Sequence, residues 1–258
     1  MKDLSQQGTQ TAHGGPSFLV REGEIVETRQ GGGYARLRVV LAPPFAAPMP
    51  EPGQFFMVRL PWGPALPRAL SPIAAGDGWI ELFIKADGLL RGEMAVAPPG
   101  TRLALRGPYG TPFVRKANLE RRYVLVGGGA GVAPILHFAA ARPDLVASLA
   151  LGFRTPGVRA LLPGADVAVE EEDGTTAFGR LAETWQDGLG VIACGPLPLL
   201  AAVSRDARWS PAAYVSLEAR LGCGFGACLG CTISTPSGRK RVCVDGPLFA
   251  CQEVPWLG

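Results

Sequence analysis

The chain has 258 residues, a formal net charge of +3, 47% hydrophobic residues and six cysteines. That length suits one or two domains with a real core, and it leaves no room for several large catalytic domains. The small, dispersed positive charge is not the clustered Lys/Arg footprint of a nucleic-acid binder, no apolar run approaches the ~20 residues of a membrane helix, and polar Met1–Pro16 lacks the apolar core of a secretory signal; a cytoplasmic protein is expected.

Glycine and proline make up nearly a quarter of the chain, against about 12% on average, so many turns are expected. Residues 1–17 read as a frayed tail. Phe18–Thr28, Tyr34–Leu41, Gln54–Pro61, Trp79–Lys85 and Thr101–Arg106 are β-leaning runs separated by Gly/Pro turns, with one helix candidate at Leu89–Val96. Such spacing predicts an antiparallel β-barrel or sandwich over 18–115. From Tyr123 the pattern changes. Strand Tyr123–Val126 runs into a glycine-rich turn and an apolar helix, Ile135–Ala141. Strands at 146–152, 165–170, Leu189–Cys194 and 213–217 alternate with helices near 177–186 and at Leu197–Arg205. Alternating strands and helices predict a parallel α/β domain over 116–218. Residues 219–258 are too few for an independent apolar core, and they contain most of the cysteines.

Those cysteines carry the sharpest signal. The spacing is Cys223-x4-Cys228-x2-Cys231-x11-Cys243, which matches the C-x4-C-x2-C run of a [2Fe–2S] site with a later fourth cysteine. The small residues Gly222, Gly224, Gly226, Ala227 and Gly230 let the loop wrap closely and aim amides at cluster sulfurs. A zinc site also takes four thiolates but favours two C-x2-4-C pairs, so the two-iron reading is preferred. Cys243 is taken as the fourth ligand and Cys251 as a buried thiol.

Gly127-Gly128-Gly129-Ala130-Gly131-Val132-Ala133-Pro134 follows a strand and opens a helix, which can offer free amides to a pyrophosphate; packing alone also produces such turns. Cys194-Gly195-Pro196 exits a second strand at the edge where open α/β sheets bind ligands. In the β region, Arg68-Ala69-Leu70-Ser71 could set a guanidinium on a phosphate and a hydroxyl near a flavin, although by itself the stretch reads as a surface arginine and a turn serine.

Taken in order, these pieces resemble the ferredoxin–NADP reductase superfamily. LEARLGCGFGACLGCTI (217–233) with RVCVDGPLF (241–249) is similar to the electron-transfer subunits of type B dihydroorotate dehydrogenase. The resemblance implies an FAD-binding β-barrel, an NAD-binding α/β domain and a small C-terminal [2Fe–2S] domain over 219–258. It also implies a partner, an FMN-containing catalytic subunit that oxidises dihydroorotate to orotate. That subunit would pass electrons through the cluster and FAD to NAD⁺, in a hetero-oligomer such as a heterotetramer. Carried over by position, Arg68, Ala69, Leu70 and Ser71 fall on the flavin motif. Gly107, Pro108 and Gly110 end the flavin domain. Lys85 and Gly88 bracket the turn for the FAD pyrophosphate. Gly127, Gly128, Gly129, Gly131 and Pro134 fall on the nucleotide turn, and Cys194, Gly195 and Pro196 near the nicotinamide. Glu172, Asp173 and Gly174 match an acidic-Gly segment, where ribose contact competes with a solvated face. The chain departs from the family at Ala86–Leu90, which lacks the usual Thr or Ser. No residue of this chain is assigned as a catalytic acid, base or nucleophile. His137 is read as structural and His13 as part of the tail. Arg154 and Arg159 leave NAD against NADP open. The alternatives are a flavin/iron–sulfur subunit of another redox complex, such as a hydrogenase or ferredoxin-linked transhydrogenase, and a zinc-stabilised binding module without flavin.

Overall fold

The computed structural model describes residues 20–42, 49–162, 169–170 and 176–257. The tail and the Glu172–Gly174 segment lie outside the described residues.

The first half forms a seven-stranded sheet with all neighbours antiparallel. Its strands are β1 (Val20–Gly31), β2 (Tyr34–Leu41), β3 (Phe55–Arg59), β4 (Arg68–Leu70), β5 (Pro72–Gly76), β6 (Trp79–Lys85) and β7 (Arg102–Tyr109), in the order β4-β3-β7-β1-β2-β6-β5. The two edge strands, β4 and β5, are joined in the chain by Ser71 alone, so the sheet curls into a barrel and closes at that corner. Helix α1 (Gly88–Ala95) follows β6 and plugs one end with Leu90 and Met94, which pack on Leu37, Val39 and Ile80 in the barrel core. Strand periodicity sorts the residues. On β2, Ala35, Leu37 and Val39 fill the interior, and on β6 Ile80, Leu82 and Ile84 do so. The alternate residues Tyr34 and Phe83 point outward, yet are buried against Phe153, Val158 and Leu161 of the second half. An apolar residue on the nominal solvent face therefore marks the interdomain seam. Glu81, on that outer face, is buried and pairs with Arg36 and Arg38, and Arg36 Nη1 also donates to the Leu161 carbonyl at 3.2 Å.

The second half is a six-stranded sheet, β10-β9-β8-β11-β12-β15. It comprises β8 (Tyr123–Gly128), β9 (Val146–Gly152), β10 (Val169–Glu170), β11 (Gly190–Cys194) and β12 (Ala213–Ser216), all parallel, with helices α2 (Val132–Ala141), α3 (Thr176–Thr184) and α4 (Leu197–Arg205). The central strands β8 and β11 are buried along their whole length, as expected for strands covered on both faces. The chain runs from β8 outward to β10, then returns to the other side of β8 for β11. The connections therefore reverse between β8 and β11, and in such sheets this is where ligands bind. Helix α2 begins three residues before the predicted Ile135, because Pro134 sits in its first turn, where an amide has no intrahelical partner to lose.

The C-terminal segment adds the hairpin β13 (Thr232–Thr235) and β14 (Gly238–Arg241), the short helix α5 (Val242–Asp245) and β15 (Leu248–Ala250). Strand β15 pairs antiparallel with β12. The chain thus leaves the sheet edge after Ser216, makes its cysteine-bearing excursion and returns to the same edge. The Leu217 amide donates to the Pro247 carbonyl at 2.9 Å and closes the base of this excursion. β4, β5, β13, β14, α5 and β15 were absent from the sequence reading; each is at most five residues long, too short for a clear periodic signal.

Candidate cofactor sites

A cavity of about 1470 Å³ lies between barrel, α/β sheet and cysteine segment. It exceeds the ~300–1,000 Å³ of ordinary small-molecule pockets. Its wall collects Arg68, Ala69, Leu70, Ser71 and Lys85 from the barrel, and Gly128, Gly129, Gly131, Pro134, Cys194, Gly195 and Pro196 from the α/β half. Five cationic side chains (Arg68, Lys85, Arg91, Arg154, Arg220) face two carboxylates (Asp87, Glu218) along it. This surplus of positive charge fits dinucleotides with anionic pyrophosphates.

On the sheet side, the exits of β8 and β11 nearly touch. A Cβ on Gly131 would lie 2.6 Å from the Gly195 nitrogen and against the Cys194 carbonyl. Glycine is therefore required at 131 by close backbone approach, and it brings both strand exits to one crevice. Gly129 has a positive φ of 55°, open to glycine without penalty. Gly127 lies outside the cavity wall: a Cβ there would meet Leu151 Cδ2 at 2.8 Å, so its role is packing.

On the barrel side, the closing corner at Ser71 points into the cavity. Gly88, Gly107, Pro108 and Gly110 are not on the wall. The last three form the seam to the cysteine segment. Gln54 Nε2 donates to the Gly110 carbonyl at 3.0 Å, and the Thr111 amide donates to the Gly246 carbonyl at 2.7 Å. Tyr109 packs on Phe55 and Phe225, with ring centroids 6.1 Å apart in each pair.

Several wall residues escaped the sequence reading. Tyr34 and Phe83 stack at 5.2 Å, and Phe153 meets Tyr34 edge-on at 5.5 Å. The outward position of Tyr34 and Phe83 on strands with filled inner faces was the available signal. Ser216 and Glu218 join Cys194 in the crevice. Burial, with Glu218 adding to it, pushes the Cys194 thiol up to about 12 against a hydrogen bond from Ser216. Cys194 is thus a neutral thiol at the crevice rather than a nucleophile. Protein on most sides of the open cavity raises the Glu218 carboxyl, with Arg91 opposing and Asp87 adding. Arg154 lines the cavity, whereas Arg159 is not on its wall. His137 is buried in α2 and burial lowers it to about 4, so it is a neutral core residue.

The four expected cluster cysteines fall into two pairs. Cys231 and Cys243 are buried with sulfurs 3.2 Å apart. Cys223 and Cys228 lie side by side on the loop, with the Cys228 amide donating to Cys223 Sγ at 3.4 Å. Burial raises the Cys223 thiol, but amides of Cys228, Phe225 and Ala227 and the Cys228 thiol outweigh it and lower it to about 7. Burial and the neighbouring sulfurs of Cys231 and Cys223 raise Cys243, so Cys223 and Cys243 share one locality. Among the described residues no group of three or more His, Cys, Asp or Glu side chains gathers around one point for a single ion. Two thiolate pairs with converging amides suit a two-iron cluster, in which each iron takes two protein sulfurs. Cys251 stands apart on the α4 side, accepting from the Ser204 hydroxyl at 3.4 Å. Gly224 and Gly226, with φ of 86° and 90°, supply the left-handed turns of the loop. Gly222 lines the cavity, so the cluster loop begins at the cavity wall.

The family described as the iron–sulfur cluster binding domain of dihydroorotate dehydrogenase B matches residues 218–255. A solved NADH-dependent reduced ferredoxin-NADP oxidoreductase superposes with a TM-score of 0.72 at 25% identity, covering 91% of this chain and 90% of that one. Phthalate dioxygenase reductase shares the fold, with a TM-score of 0.59 at 17% identity over 86% of this chain and 94% of its own. Fold and site together define a reductase of the ferredoxin-reductase type with a cysteine segment attached to its nucleotide-binding sheet. The dihydroorotate dehydrogenase B (NAD(+)) electron transfer subunit of Geobacillus thermodenitrificans (strain NG80-2) is 35% identical over 238 residues, 84% of this chain and 91% of the relative. That of Caldanaerobacter subterraneus subsp. tengcongensis is 32% identical over 218 residues, 80% and 87% of the two chains. The chain belongs to this family of electron transfer subunits.

Proposed function

We propose that the chain carries electrons from an FMN-bearing dihydroorotate dehydrogenase catalytic subunit to NAD⁺, by way of a [2Fe–2S] cluster and FAD, and so supports orotate formation in pyrimidine biosynthesis. The observation that carries this reading is the junction of three sites around one cavity: the barrel corner at Ser71, the strand exits at Gly131 and Cys194, and the loop opening at Gly222. When bound, a cluster supplies one-electron transfer, a nicotinamide takes hydride, and a flavin bridges the two. The chain's own residues bind and orient. Ser71 offers a hydroxyl to the flavin ring, the amides around Gly129 and the start of α2 face a pyrophosphate, and Cys194 offers a neutral surface beside the nicotinamide. Cys223, Cys228, Cys231 and Cys243 hold the cluster. None of the three parts has an acid–base pair suited to dihydroorotate, so oxidation of that substrate falls to the partner in a hetero-oligomer. The described residues include no helix long and apolar enough to cross a membrane, and we place the assembly in the cytoplasm.

The test is anaerobic co-purification with a dihydroorotate dehydrogenase catalytic subunit. Flavin and iron–sulfur absorbance, roughly two irons per chain and dihydroorotate-dependent NAD⁺ reduction are expected. A colourless, zinc-loaded chain would overturn the proposal. A second reading, a subunit of a ferredoxin-linked transhydrogenase, draws on the structural likeness to the ferredoxin-NADP oxidoreductase. Retention of that enzyme's catalytic subunit, with none of dihydroorotate dehydrogenase, would favour it.

A further inference from the structure

We propose that Arg91, tethered by Asp87 and backed by Lys85, binds the pyrophosphate of the flavin dinucleotide on the barrel side of the cavity. This rests on the FAD-binding reading above and names the groups that perform it.

The turn between β6 and α1, Ala86-Asp87-Gly88-Leu89-Leu90, has no serine or threonine to donate to a phosphate. Asp87, at the N-cap, makes no side-chain cap, because its carboxylate is occupied otherwise. Lys85 Nζ lies 3.2 Å from Asp87 Oδ2, and Arg91 Nη2 donates to Asp87 Oδ1. Arg91 Nε also donates to the Asp87 carbonyl at 3.3 Å. One carboxylate therefore holds two cations together, leaving the trio with one net positive charge. Lys85, Asp87 and Arg91 all line the cavity. A guanidinium held in place loses less freedom when a ligand arrives, and its planar fork matches phosphate oxygens in pairs.

The approach to this group is open. Gly88 has a φ of 68°, and nothing lies within 4 Å of where its Cβ would be. The turn thus adopts a glycine conformation with no internal packing to explain it, beside a positively charged cavity wall. The cavity also offers a separate pyrophosphate position, the Gly128–Gly131 turn, on the opposite half. Because Arg91 and Lys85 share the barrel with Ser71 and Arg68, the pyrophosphate they take belongs to the flavin and not to NAD.

The experiment uses the full chain stripped of flavin. Dissociation constants for FAD and riboflavin are measured by flavin fluorescence in wild type, Arg91→Met, Arg91→Lys and Lys85→Met. NAD⁺ affinity is measured on the FAD-loaded forms. Hydrogen bonds to a charged partner contribute about 1.5–3 kcal/mol, so Arg91→Met should weaken FAD by about 10- to 100-fold. Riboflavin, which has no phosphate, should bind as in wild type. Arg91→Lys should recover part of the loss, and Lys85→Met should weaken FAD several-fold. Unchanged FAD binding in both methionine variants overturns the assignment, as does equal weakening of FAD and riboflavin. A loss confined to NAD⁺ moves the residue to the other dinucleotide and equally overturns it. Wild-type protein that binds neither flavin overturns the FAD reading itself, an outcome distinct from the others.

Discussion

Replacing Gly131 with alanine tests whether the two strand exits form one nucleotide crevice. The added methyl would lie 2.6 Å from the Gly195 nitrogen, whereas ordinary contact begins at 3.4 Å. The opposing atoms are backbone of the β11 exit, so no side chain can swing away. The exits must part by about 0.8 Å, and overpacking of this kind costs ~1–3 kcal/mol. In a chain of this size that lowers Tm by roughly 2–12 °C. The functional loss should be larger than the stability loss. A reacting group displaced by about 1 Å costs on the order of 100-fold, so kcat/KM for NADH should fall between about 10- and 100-fold. The assay is NADH oxidation by an artificial acceptor at saturating FAD, with flavin content and Tm measured on the same preparation. Flavin content should hold, because Ser71 and Arg68 lie on the barrel. A variant with Tm and kcat/KM both at wild-type values would refute the shared crevice. Loss of FAD with NADH kinetics intact would place the turn at the wrong cofactor.

Cys243→Ser should abolish cluster absorbance, whereas Cys251→Ala, which removes only the thiol beside Ser204, should keep it; the opposite pattern would exchange the fourth ligand. His137 titrates at about 4 in the fold against 6.5 when exposed. The unfolded chain therefore takes up its proton first, and about 3 kcal/mol of stability present above pH 6.5 should drain away as pH falls toward 4. Urea midpoints across that window should fall more for wild type than for His137→Gln; parallel curves would refute a neutral buried imidazole. Gly92→Ala fills open space inside α1 and should stabilise by ~0.5–1 kcal/mol. Gly88→Ala, at a φ of 68°, should destabilise by ~1–2 kcal/mol, and thermal melts of the two variants should move in opposite directions.

The features legible in the sequence are those set by neighbouring residues. The cysteine spacing, the glycine turn after Tyr123–Val126 and the β-to-α/β transition depend on separations of a few residues, and local geometry fixes their meaning. What stayed hidden depends on distant parts of the chain meeting. Phe83 looks like a stray aromatic on a barrel strand until β9 brings Phe153 to it, with ring centroids 6.2 Å apart. Glu218 reads as an ordinary acid until β12 ends beside the crevice. Gly107, Pro108 and Gly110 carry a flavin-domain motif, yet Gly110 and Tyr109 meet the cysteine segment, a contact 137 residues away at Gly246 through Thr111. The choice between Cys243 and Cys251 likewise needed the fold. Both are buried, and only the approach of Cys231 to 3.2 Å separates them.

The path of the C-terminal segment explains how a loop of small residues can hold a cluster in register with a flavin. A chain of about 30 residues has almost no core of its own and would be costly to order alone. Here both of its ends are strands of one sheet edge, paired from Tyr214↔Ala250 to Ser216↔Leu248, and the Leu217–Pro247 hydrogen bond closes them together. The middle of the loop is pinned to the barrel: a Cβ on Gly224 would collide with Met57 Cγ at 2.7 Å and Tyr109 Cδ2 at 2.8 Å. Three anchors on two different domains locate the cysteines without any large apolar core. Those same two domains form the cavity, so a change that loosens the β12–β15 pairing must displace the cluster relative to the flavin as well as the segment's own fold. Stability and electron transfer are therefore coupled at this edge through shared backbone contacts.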